Sequence, residues 1–482
     1  MNTKARGVSI FAGVRYLAAG TLAVNIGRLA LLLALSRLLP ATAFGVLSLA
    51  TAVVSFSSFF VDAGVSNVFY QAELKDDKAR SSLFWLNVLL GLCLATVLVL
   101  FSPVLARFYA IPDFHFVLSF AALGLVFTAV AAQHRVLLRR MMRFDLLVKI
   151  ESIAFVVNAV VTLIGVIWGY GVYAMVAGTL LNNLIAAIGY LWAGGRQLLP
   201  GWVFSLAAVR PFLAFGLYQM GERLSNFLAE RSDVFIIGKV LGPGPLGLYD
   251  VMKQLLSRPE SLINPVIAQA TLPMMAKKSS NILFVRKIYF KGLETSNTLN
   301  MAVMGLVFCA AEPFLAIITG PQWAGEADTF RWLAAYFIVH ASFNPVGALL
   351  LAKGRADLGF WWNLAMLLLV PAFVWAGASG GITGIAALLF LLFTGLIIPV
   401  YYVMIRPLTG ASLTDFARTF FRPLAMASIS GLVAWPFAQA SFLSPFQALA
   451  AAALVFSGVA FMWLKKYQKD TLRLIRRIVL KR

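Results

Sequence analysis

The sequence predicts an all-α polytopic membrane protein with about 14 transmembrane helices, built as two pseudo-symmetric six-helix lobes and two further C-terminal helices. The first observation is composition: 482 residues are 61% hydrophobic and only 12% charged, with a mean hydropathy of +0.87. The second is a succession of apolar stretches that are each long enough to cross a bilayer. The third is an internal repeat that relates the two halves of the chain. A soluble globular fold is excluded by the composition.

The apolar stretches are separated by loop signals and each approaches the length of a spanning helix. They lie at 12–38, 44–68, 82–106, 114–137, 146–168, 171–193, 211–238, 251–275, 295–318, 329–352, 358–378, 381–405, 419–438 and 445–465. The largest connections, 194–210 and 276–294, are too short for a soluble domain. We therefore expect the protein to act within the bilayer.

The internal repeat appears when the segments around Ser36 and Gly238 are aligned. SRLLPATAFGVLSL pairs with GKVLGPGPLGLYDV, which matches Phe44-Gly45 with Leu246-Gly247. Because an even number of spans separates the copies, the repeats are parallel and a cavity is expected between the lobes. The predicted divisions are an N-terminal lobe at 1–193, a cytoplasmic linker at 194–210, a C-terminal lobe at 211–405, two helices at 406–465 and a basic cytoplasmic tail at 466–482.

The net charge of +21 comes from short loops rather than from one folded face, which argues against a nucleic-acid partner and for contact with membrane lipids. Basic residues concentrate in alternate loops, namely Lys75, Lys78, Arg80, Arg135, Arg139, Arg140, Arg143, Arg196, Arg210, Lys277, Lys278, Arg286, Lys287, Lys291, Lys353, Arg355, Arg406, Arg418 and Arg422. By the positive-inside rule these loops and both termini are predicted to be cytoplasmic.

Signals for enzymes, metals and cofactors are missing from the sequence. Cys93 and Cys309 lie within apolar stretches, and the three histidines, His115, His134 and His340, are scattered over separate segments. No zinc-protease motif, paired-cysteine motif or nucleotide-binding glycine loop occurs. We predict neither an enzyme nor a cofactor.

The seventh span carries charges that a lipid-facing helix could not hold. Between Phe212 and Gly238 lie Glu222, Arg223, Asn226, Glu230, Arg231 and Asp233. Each ionised side chain near the bilayer centre costs roughly 2.5–3.5 kcal/mol on insertion scales, so these residues must face protein or water. The pattern predicts a polar cavity at membrane depth, which is typical of a transporter, and a structural network of ion pairs is the alternative.

Other spans contribute polar faces at helical spacing. They are Thr21, Asn25 and Arg28 in the first span, Ser48, Thr51, Ser55, Ser58 and Asp62 in the second, and Lys253, Gln254, Ser257, Arg258, Glu260, Ser261 and Asn264 in the eighth. Cations at membrane depth favour an anionic substrate such as a phosphate, whereas carboxylates suit H+ or Na+. The predicted substrate-binding residues are Asn25, Arg28, Arg223, Arg231, Lys253 and Arg258, and the predicted ion-coupling residues are Asp62, Glu222, Glu230 and Asp233.

Several segments resemble the polysaccharide exporter, or Wzx-type oligosaccharide flippase, branch of the multidrug/oligosaccharidyl-lipid/polysaccharide superfamily, which implies a MATE-like fold. They are SRLLPATAFGVLSLA from Ser36, FFVDAGVSNVFYQ from Phe59, VLLRRMMRFDLL from Val136, RSDVFIIGKVLGPGPLGLYDV from Arg231, the prolines Pro259, Pro265 and Pro273 before LPMMAKK, and AEPFLAIITGPQW from Ala311. The resemblance places Asp62 and Gly64 in an Asp-x-Gly element, Arg231 and Asp233 in an element before the repeat, and Arg139, Arg140 and Arg143 in a cytoplasmic basic loop.

The resemblance implies that the protein flips an undecaprenyl-diphosphate-linked oligosaccharide across the bacterial inner membrane for exopolysaccharide, capsule or O-antigen synthesis. It implies alternating access driven by an H+ or Na+ gradient, with a polysaccharide polymerase and glycosyltransferases of the same pathway as partners. On this basis Arg28, Arg223, Arg231, Lys253 and Arg258 are expected to attract the diphosphate.

Three other functions compete with this one. A small-molecule multidrug antiporter of the same superfamily would be expected to have carboxylates rather than arginines dominating its cavity. A membrane-embedded polymerase or glycosyltransferase would be expected to have a sizeable periplasmic loop. A peptidoglycan-precursor flippase would share the architecture and the charge pattern, and would differ in the quoted motifs.

Overall fold

The computed structural model describes residues 10–62, 77–195, 200–440, 442–469 and 471–473. Within these residues the chain is helical apart from turns and short connections, and no β-strand occurs there. The chain divides into two compact units, Met1–Gly247 and Leu248–Arg482. The two units are described separately below.

The first unit is a bundle of long helices. They are α1 (Ile10–Leu38), α2 (Ala41–Asp62), α3 (Asp77–Tyr109), α4 (Phe114–Arg140), α5 (Phe144–Ile167), α6 (Gly171–Gly194) and α7 (Leu206–Val240). Small residues let these helices approach closely: Gly20 of α1 faces Val148 of α5, and Gly27 faces Phe155. The start of α8 (Pro243–Lys277) also belongs to this unit, and the rest of α8 belongs to the second.

The second unit contains shorter and more interrupted helices. After α8 come α9 (Ile282–Cys309), α10 (Ala311–Ile318), α11 (Ala327–His340), α12 (Asn344–Lys353), α13 (Ala356–Gly377), α14 (Gly381–Val400), α15 (Arg406–Thr409), α16 (Leu413–Ala438) and α17 (Pro445–Tyr467). A π-helical turn, Tyr401–Ile405, joins α14 to α15. A cluster of buried apolar side chains from α9, α12 and this turn, including Val285, Leu349 and Met404, forms a core.

The helices agree closely with the predicted spans, and the protein is a multi-pass membrane protein. Among the described residues, nine helical segments are long and apolar enough to cross a membrane, and a tenth is counted if α9 and α10 form one bent span. Helices α7, α8 and α16 are not among those nine. At 35 residues each, α7 and α8 are nevertheless roughly 52 Å long, which exceeds the thickness of a bilayer core.

Two predicted spans are differently built in the structure. The predicted span 295–318 is instead the helix α9, which starts at Ile282 and bends by 85° into α10. The Asn281 side chain caps α9 by accepting a hydrogen bond from the Phe284 N–H at 3.0 Å, so most of the predicted loop 276–294 is helical. Pro313 has no N–H for the Cys309 carbonyl, which ends α9 there.

The predicted span 329–352 lies within one candidate span, Trp323–Lys353, but a short turn divides its helix into α11 and α12. The break lies at residues 341–343, and Pro345 is the second residue of α12. Proline in the first turn of a helix is tolerated, but it has no N–H to continue the preceding helix. By contrast, α8 remains one helix despite Pro259, Pro265 and Pro273.

The two glycines matched by the internal repeat pack against each other's helix starts within the first unit. A Cβ atom on Gly45 would lie 1.8 Å from the carbonyl oxygen of Pro243, and one on Gly247 would lie 1.8 Å from that of Ala41. Because Ala41 and Pro243 occupy equivalent positions in the two repeats, the contact is reciprocal. Only glycine permits so close an approach.

We predict that Gly45→Ala destabilises the protein, because the added methyl group would overlap a backbone carbonyl that cannot move aside. Overpacking of this kind costs about 1–3 kcal/mol or more. The melting temperature of the detergent-solubilised protein should fall. The control is Gly395→Ala in α14, where an added Cβ meets no atom within 4 Å. Equal melting temperatures for Gly45→Ala and the native protein would contradict this account.

An ion pair joins α9 to the first turn of α16, before the predicted span 419–438. Arg286 donates to the Asp415 carboxylate, and the Ser412 hydroxyl donates to the same carboxylate at 2.7 Å. The hydrogen bond from Ser412, together with the charge of Arg286, holds the pKa of Asp415 below its ordinary value. The pair therefore ties two separate helices together only while Asp415 is ionised.

This lowered pKa predicts a pH-dependent loss of stability. A carboxyl group with a lowered pKa in the folded state stabilises the fold above the unfolded value, about 3.9, and that contribution is lost as pH falls through the folded value. The melting temperature of Asp415→Asn should lie below that of the native protein at neutral pH, and the difference should shrink toward about pH 3. In the control Asp145→Asn, which breaks only the local pair with Arg143, the difference should be small throughout. If the difference in melting temperature between Asp415→Asn and the native protein stays constant with pH, the ionised Asp415 does not stabilise the fold.

Candidate functional site

Two of the predicted substrate-binding residues lie on α1. Asn25 is half-buried and Arg28 is exposed. Gly27 lies between them and packs against Phe155 of α5, which fixes this part of α1 in the first unit. Arg28 is therefore available to solvent or ligand at the surface of this unit.

The charged face of α7 lies beside α2, since the rings of Phe227 and Phe59 are 5.2 Å apart. On this helix Arg223 and Glu230 are exposed and Arg231 is partly buried. Asp233 is almost fully buried, and its carboxylate accepts a hydrogen bond from the Val234 N–H at 2.9 Å. The side chains of Asp62 and Glu222, and all of Gly64, Lys75 and Arg196, lie outside the described residues, as does the end of the predicted basic tail, 474–482.

The hydroxyl stripe of α2 lines a small cavity inside the first unit, of about 230 Å³. Thr51, Ser55 and Ser58 face Thr128 of α4 and Asn183 of α6 across it. Two hydroxyls also bond within their own helix, Thr51 to the Ser48 carbonyl at 2.9 Å and Ser58 to the Ser55 carbonyl at 2.7 Å. The cavity is large enough, and polar enough, to hold water.

The remaining predicted substrate-binding residues, Lys253 and Arg258, belong to the second unit. The Lys253 ammonium lies 5.8 Å from the centre of the Tyr249 ring, and Arg258 is partly buried. Because they lie in a different unit from Arg28, Arg223 and Arg231, their convergence on one cavity stays a prediction.

Glu260 of α8 is an extensively hydrogen-bonded acid of the second unit, and its side chain is 10% exposed. His340 Nδ1 at the end of α11 lies 3.0 and 3.2 Å from its two carboxylate oxygens. The Asn344 amide of α12 donates to the same carboxylate, and the Asn264 amide donates at 3.4 Å. Side chains of three helices, α8, α11 and α12, thus place nitrogen atoms around one buried carboxylate.

The polar network continues from Asn264 into α9. Asn264 Oδ1 accepts from the Ser296 hydroxyl at 2.7 Å and from the Asn300 amide at 3.0 Å. All three of these residues are buried. Asn300 Oδ1 is itself buried and has no hydrogen-bond partner in the part of the chain that is described. An unpaired buried acceptor of this kind is the usual position of an internal water molecule.

A second branch of the network fixes α16. The Asn297 amide of α9 donates to the Thr419 carbonyl at 3.1 Å, and its oxygen accepts from the Ser342 hydroxyl at 2.8 Å. Asn297 is fully buried. It therefore links α9, α16 and the break between α11 and α12.

An apolar groove of about 780 Å³ opens on the same unit. Its lining comes from α9, α11, α14 and α16, and includes Phe308, Ile338, Phe390, Phe420 and Trp435. The groove suits a hydrocarbon chain rather than a polar ligand.

Sequence reasoning placed Glu260 and Asn264 on a polar face but missed the network. In the sequence His340 is one of three scattered histidines, and Asn344, Ser296 and Asn300 belong to none of the predicted site residues. Ser296 and Asn300 are spaced four residues apart within an apolar helix, which was a usable signal. Searching the described residues for three His, Cys, Asp or Glu side chains placed to hold a metal finds no such group.

We predict that Asn297→Ala lowers the stability of the protein. The change leaves the buried Ser342 hydroxyl without its partner, which costs about 1–3 kcal/mol. The melting temperature and the yield of monodisperse protein should both fall. Ser261→Ala is the matched control, because Ser261 is exposed and its hydroxyl bonds only to the Arg258 carbonyl of its own helix. If Asn297→Ala and Ser261→Ala melt at the same temperature, the hydrogen bonds of Asn297 do not stabilise the fold.

Comparison with solved structures identifies the fold. The lipid II flippase MurJ, in an inward closed conformation, superimposes with a TM-score of 0.74 over 95% of this chain and 99% of that protein. Sequence identity is 12%, so the likeness concerns the fold alone. It confirms the predicted all-α polytopic membrane fold.

Sequence relatives come from several bacteria. Teichuronic acid biosynthesis protein TuaB of Bacillus subtilis (strain 168) is 24% identical over 429 residues, 88% of each chain. Lipopolysaccharide biosynthesis protein WzxC of Escherichia coli (strain K12) is 25% identical over 82% of this chain and 80% of that protein. Succinoglycan biosynthesis transport protein ExoT of Rhizobium meliloti (strain 1021) is 23% identical over 83% and 80%.

A family model supplies the assignment. The model described as "Polysaccharide biosynthesis protein" matches residues 34–328, which is more than half of the chain. The matched range contains the segments on which the resemblance was based, from Ser36 to AEPFLAIITGPQW. The protein therefore belongs to the polysaccharide biosynthesis protein family, as the sequence predicted.

Proposed function

We propose that this protein flips an undecaprenyl-diphosphate-linked oligosaccharide from the cytoplasmic to the periplasmic leaflet of the bacterial inner membrane, for exopolysaccharide, capsule or O-antigen synthesis. The observation that carries the proposal is the charged face of α7, which holds Arg223, Glu230 and Arg231 on a helix long enough to cross a bilayer, in a member of the polysaccharide biosynthesis protein family. Such a face needs a hydrated or protein environment at membrane depth.

The charges match the head of the proposed substrate. A diphosphate is a compact dianion, and arginine side chains bind phosphate oxygens through paired N–H groups. Arg28, Arg223 and Arg231 of the first unit, with Lys253 and Arg258 of the second, supply cations for this head, and Asn25 is a further substrate-binding residue in the proposal. Asp62, Glu222, Glu230 and Asp233 balance these cations or take up a coupling ion.

The tail of such a lipid does not need to leave the hydrocarbon. Only the hydrophilic head must cross, so a polar path that is open sideways to the lipid is sufficient. The apolar groove of the second unit provides a surface on which an isoprenoid chain could lie during passage. The family assignment favours this substrate class over the small molecules of a multidrug antiporter.

Two further parts of the proposal concern cellular context. Both termini face the cytoplasm, since the basic loops alternate along the chain. A polymerase and glycosyltransferases of the same pathway supply the lipid-linked substrate and consume the product.

A reconstituted flipping assay tests the proposal. The probe is undecaprenyl diphosphate carrying a fluorescently labelled disaccharide, placed in both leaflets of vesicles and bleached from outside by dithionite, which does not cross the bilayer. With the native protein we expect bleaching of the whole pool, and in protein-free vesicles only of the outer leaflet. If native vesicles stop at the same plateau as protein-free ones, the proposed function is wrong.

Charge-removing variants test the site separately. Arg223→Gln and Arg231→Gln should slow the inner-leaflet phase about 10-fold or more, because a hydrogen bond to a charged group is worth roughly 1.5–3 kcal/mol. Arg355→Gln is the control, since Arg355 directly precedes α13 and pairs with Asp357 in the first turn of that helix. The same variants should lower polymer output in a strain that lacks the native gene. Native flipping rates and native polymer output from all of them, at equal protein levels, would refute the site.

A further inference from the structure

We propose that Glu260 and His340 form a proton-binding site whose protonation and deprotonation drive the transport cycle. The inference rests on the proposed flipping function and specifies its coupling ion as a proton. It also places the proton away from Asp62, Glu222, Glu230 and Asp233, within the second unit.

The first argument is the nature of the partner. The carboxylates of Glu151 and Asp415 are paired with Arg135 and Arg286, and arginine stays charged at every physiological pH. Glu260 is paired instead with His340, an imidazole, the side chain that ordinarily changes charge between about pH 5 and 8. The pair therefore joins a buried carboxylate to a side chain that can bind and release a proton, which arginine cannot do.

The second argument is the chemistry of the groups around the carboxylate. His340, Asn344 and Asn264 all present nitrogen atoms to it. Hard metal cations take oxygen ligands, and an alkali ion at Glu260 would have to displace these donors. A proton needs no such rearrangement, because it adds to the imidazole or to the carboxylate within the existing hydrogen bonds.

The surroundings of the pair include aromatic rings and uncharged polar side chains. Rings of Tyr336 and Phe393 lie 5.2 and 5.1 Å from the imidazole. Ser296 and Asn300 of α9 and Asn344 of α12 are uncharged. Arg258 precedes Glu260 by two residues, which turns it to a different side of α8. Tyr336 is a further titratable group whose ring contacts the imidazole.

The third argument is access and mobility. The His340 side chain is 31% exposed, whereas that of Glu260 is 10% exposed, so a proton can enter through the imidazole and be held at the buried end. Pro259 and Pro265 flank Glu260 and leave the carbonyls of Leu255 and Ser261 without their usual helical donors. His340 is the last residue of α11, next to the break before α12.

Both partners therefore lie where their helices are weakened or interrupted. When the pair is protonated, its imidazolium and carboxylate attract each other and hold α8 against the end of α11. When the proton leaves, the buried site keeps an uncompensated negative charge, and the two helices are released to rearrange. This is the two-state behaviour that an alternating-access cycle needs.

The same vesicle assay tests coupling when it is run with and without an imposed pH gradient. We expect the native protein to flip the labelled probe several-fold faster with a gradient, and an enclosed pH-sensitive dye to record proton movement when the probe is present. In Glu260→Gln and in His340→Gln, the ratio of the flipping rate with a pH gradient to the flipping rate without one should fall to one. The double variant should show no further loss of this ratio.

Controls and alternatives are contained in the same design. Glu151→Gln removes a hydrogen-bonded carboxylate paired with arginine, and it should keep the native ratio. Acceleration by a sodium gradient at equal pH, abolished by Glu260→Gln, would overturn the proton assignment. A native ratio in both Glu260→Gln and His340→Gln would overturn the site. A protein that flips with no response to pH would overturn the coupling and leave the flipping function intact.

A measurement on the purified protein does not depend on transport. Infrared difference spectra between acidic and neutral pH should contain carboxyl and imidazole bands from the pair. These bands should be missing from folded Glu260→Gln and His340→Gln, as judged by an unchanged elution profile, and should persist in Glu151→Gln. Spectra of the variants identical to that of the native protein would contradict proton binding here, whatever the flipping assay shows.

Discussion

The hydrocarbon core of a membrane cannot form hydrogen bonds with polar groups, and this constraint governs how the polar residues of the chain are arranged. In the second unit the constraint is met by a continuous network in which Glu260, Asn264, Ser296 and Asn300 bond to one another. In the first unit it is met by hydroxyls that bond to their own helix and line a small cavity, as Thr51 and Ser58 do. The helices are therefore positioned by buried polar contacts as well as by apolar packing.

Backbone chemistry determines where the helices of the second unit stop. Pro313 and Pro345 each follow a break, because a proline ring supplies no N–H for the residue four positions earlier. The three prolines inside α8 weaken that helix without ending it. These interruptions place polar side chains at helix ends, where their partners can change without unwinding a whole span. The first unit, with long helices and glycine contacts such as Gly45 with Pro243, is built differently.

The apolar stretches were sufficient to predict the fold, because spanning length and hydropathy are local properties of the chain. The positions of α3 to α6 follow directly from them. The break at Ala310 was missed because both sides are apolar, and the early start of α9 was missed because Arg286, Lys287 and Lys291 look like a loop. Asp415 could be found only from the structure, since its partner is far away in sequence. The same limit hid the buried site: Glu260 and His340 are 80 residues apart, and neither is unusual alone.

The two units offer different chemistry to a lipid-linked substrate. Exposed cations on α1 and α7, such as Arg28 and Arg223, suit a polyanionic head, since arginine keeps its charge whatever the local pH. The second unit, which also contains Lys253 and Arg258, holds a buried acid paired with a histidine and has an apolar groove. A residue that binds phosphate must stay charged through the cycle, whereas a residue that carries a proton must change charge within it. Arginine cannot carry the proton because it stays charged, and a histidine–glutamate pair binds phosphate poorly because the glutamate is negative. In the two proposals, arginine and lysine side chains therefore serve the phosphate and the Glu260–His340 pair serves the proton, even where both kinds of residue share a helix, as Arg258 and Glu260 share α8.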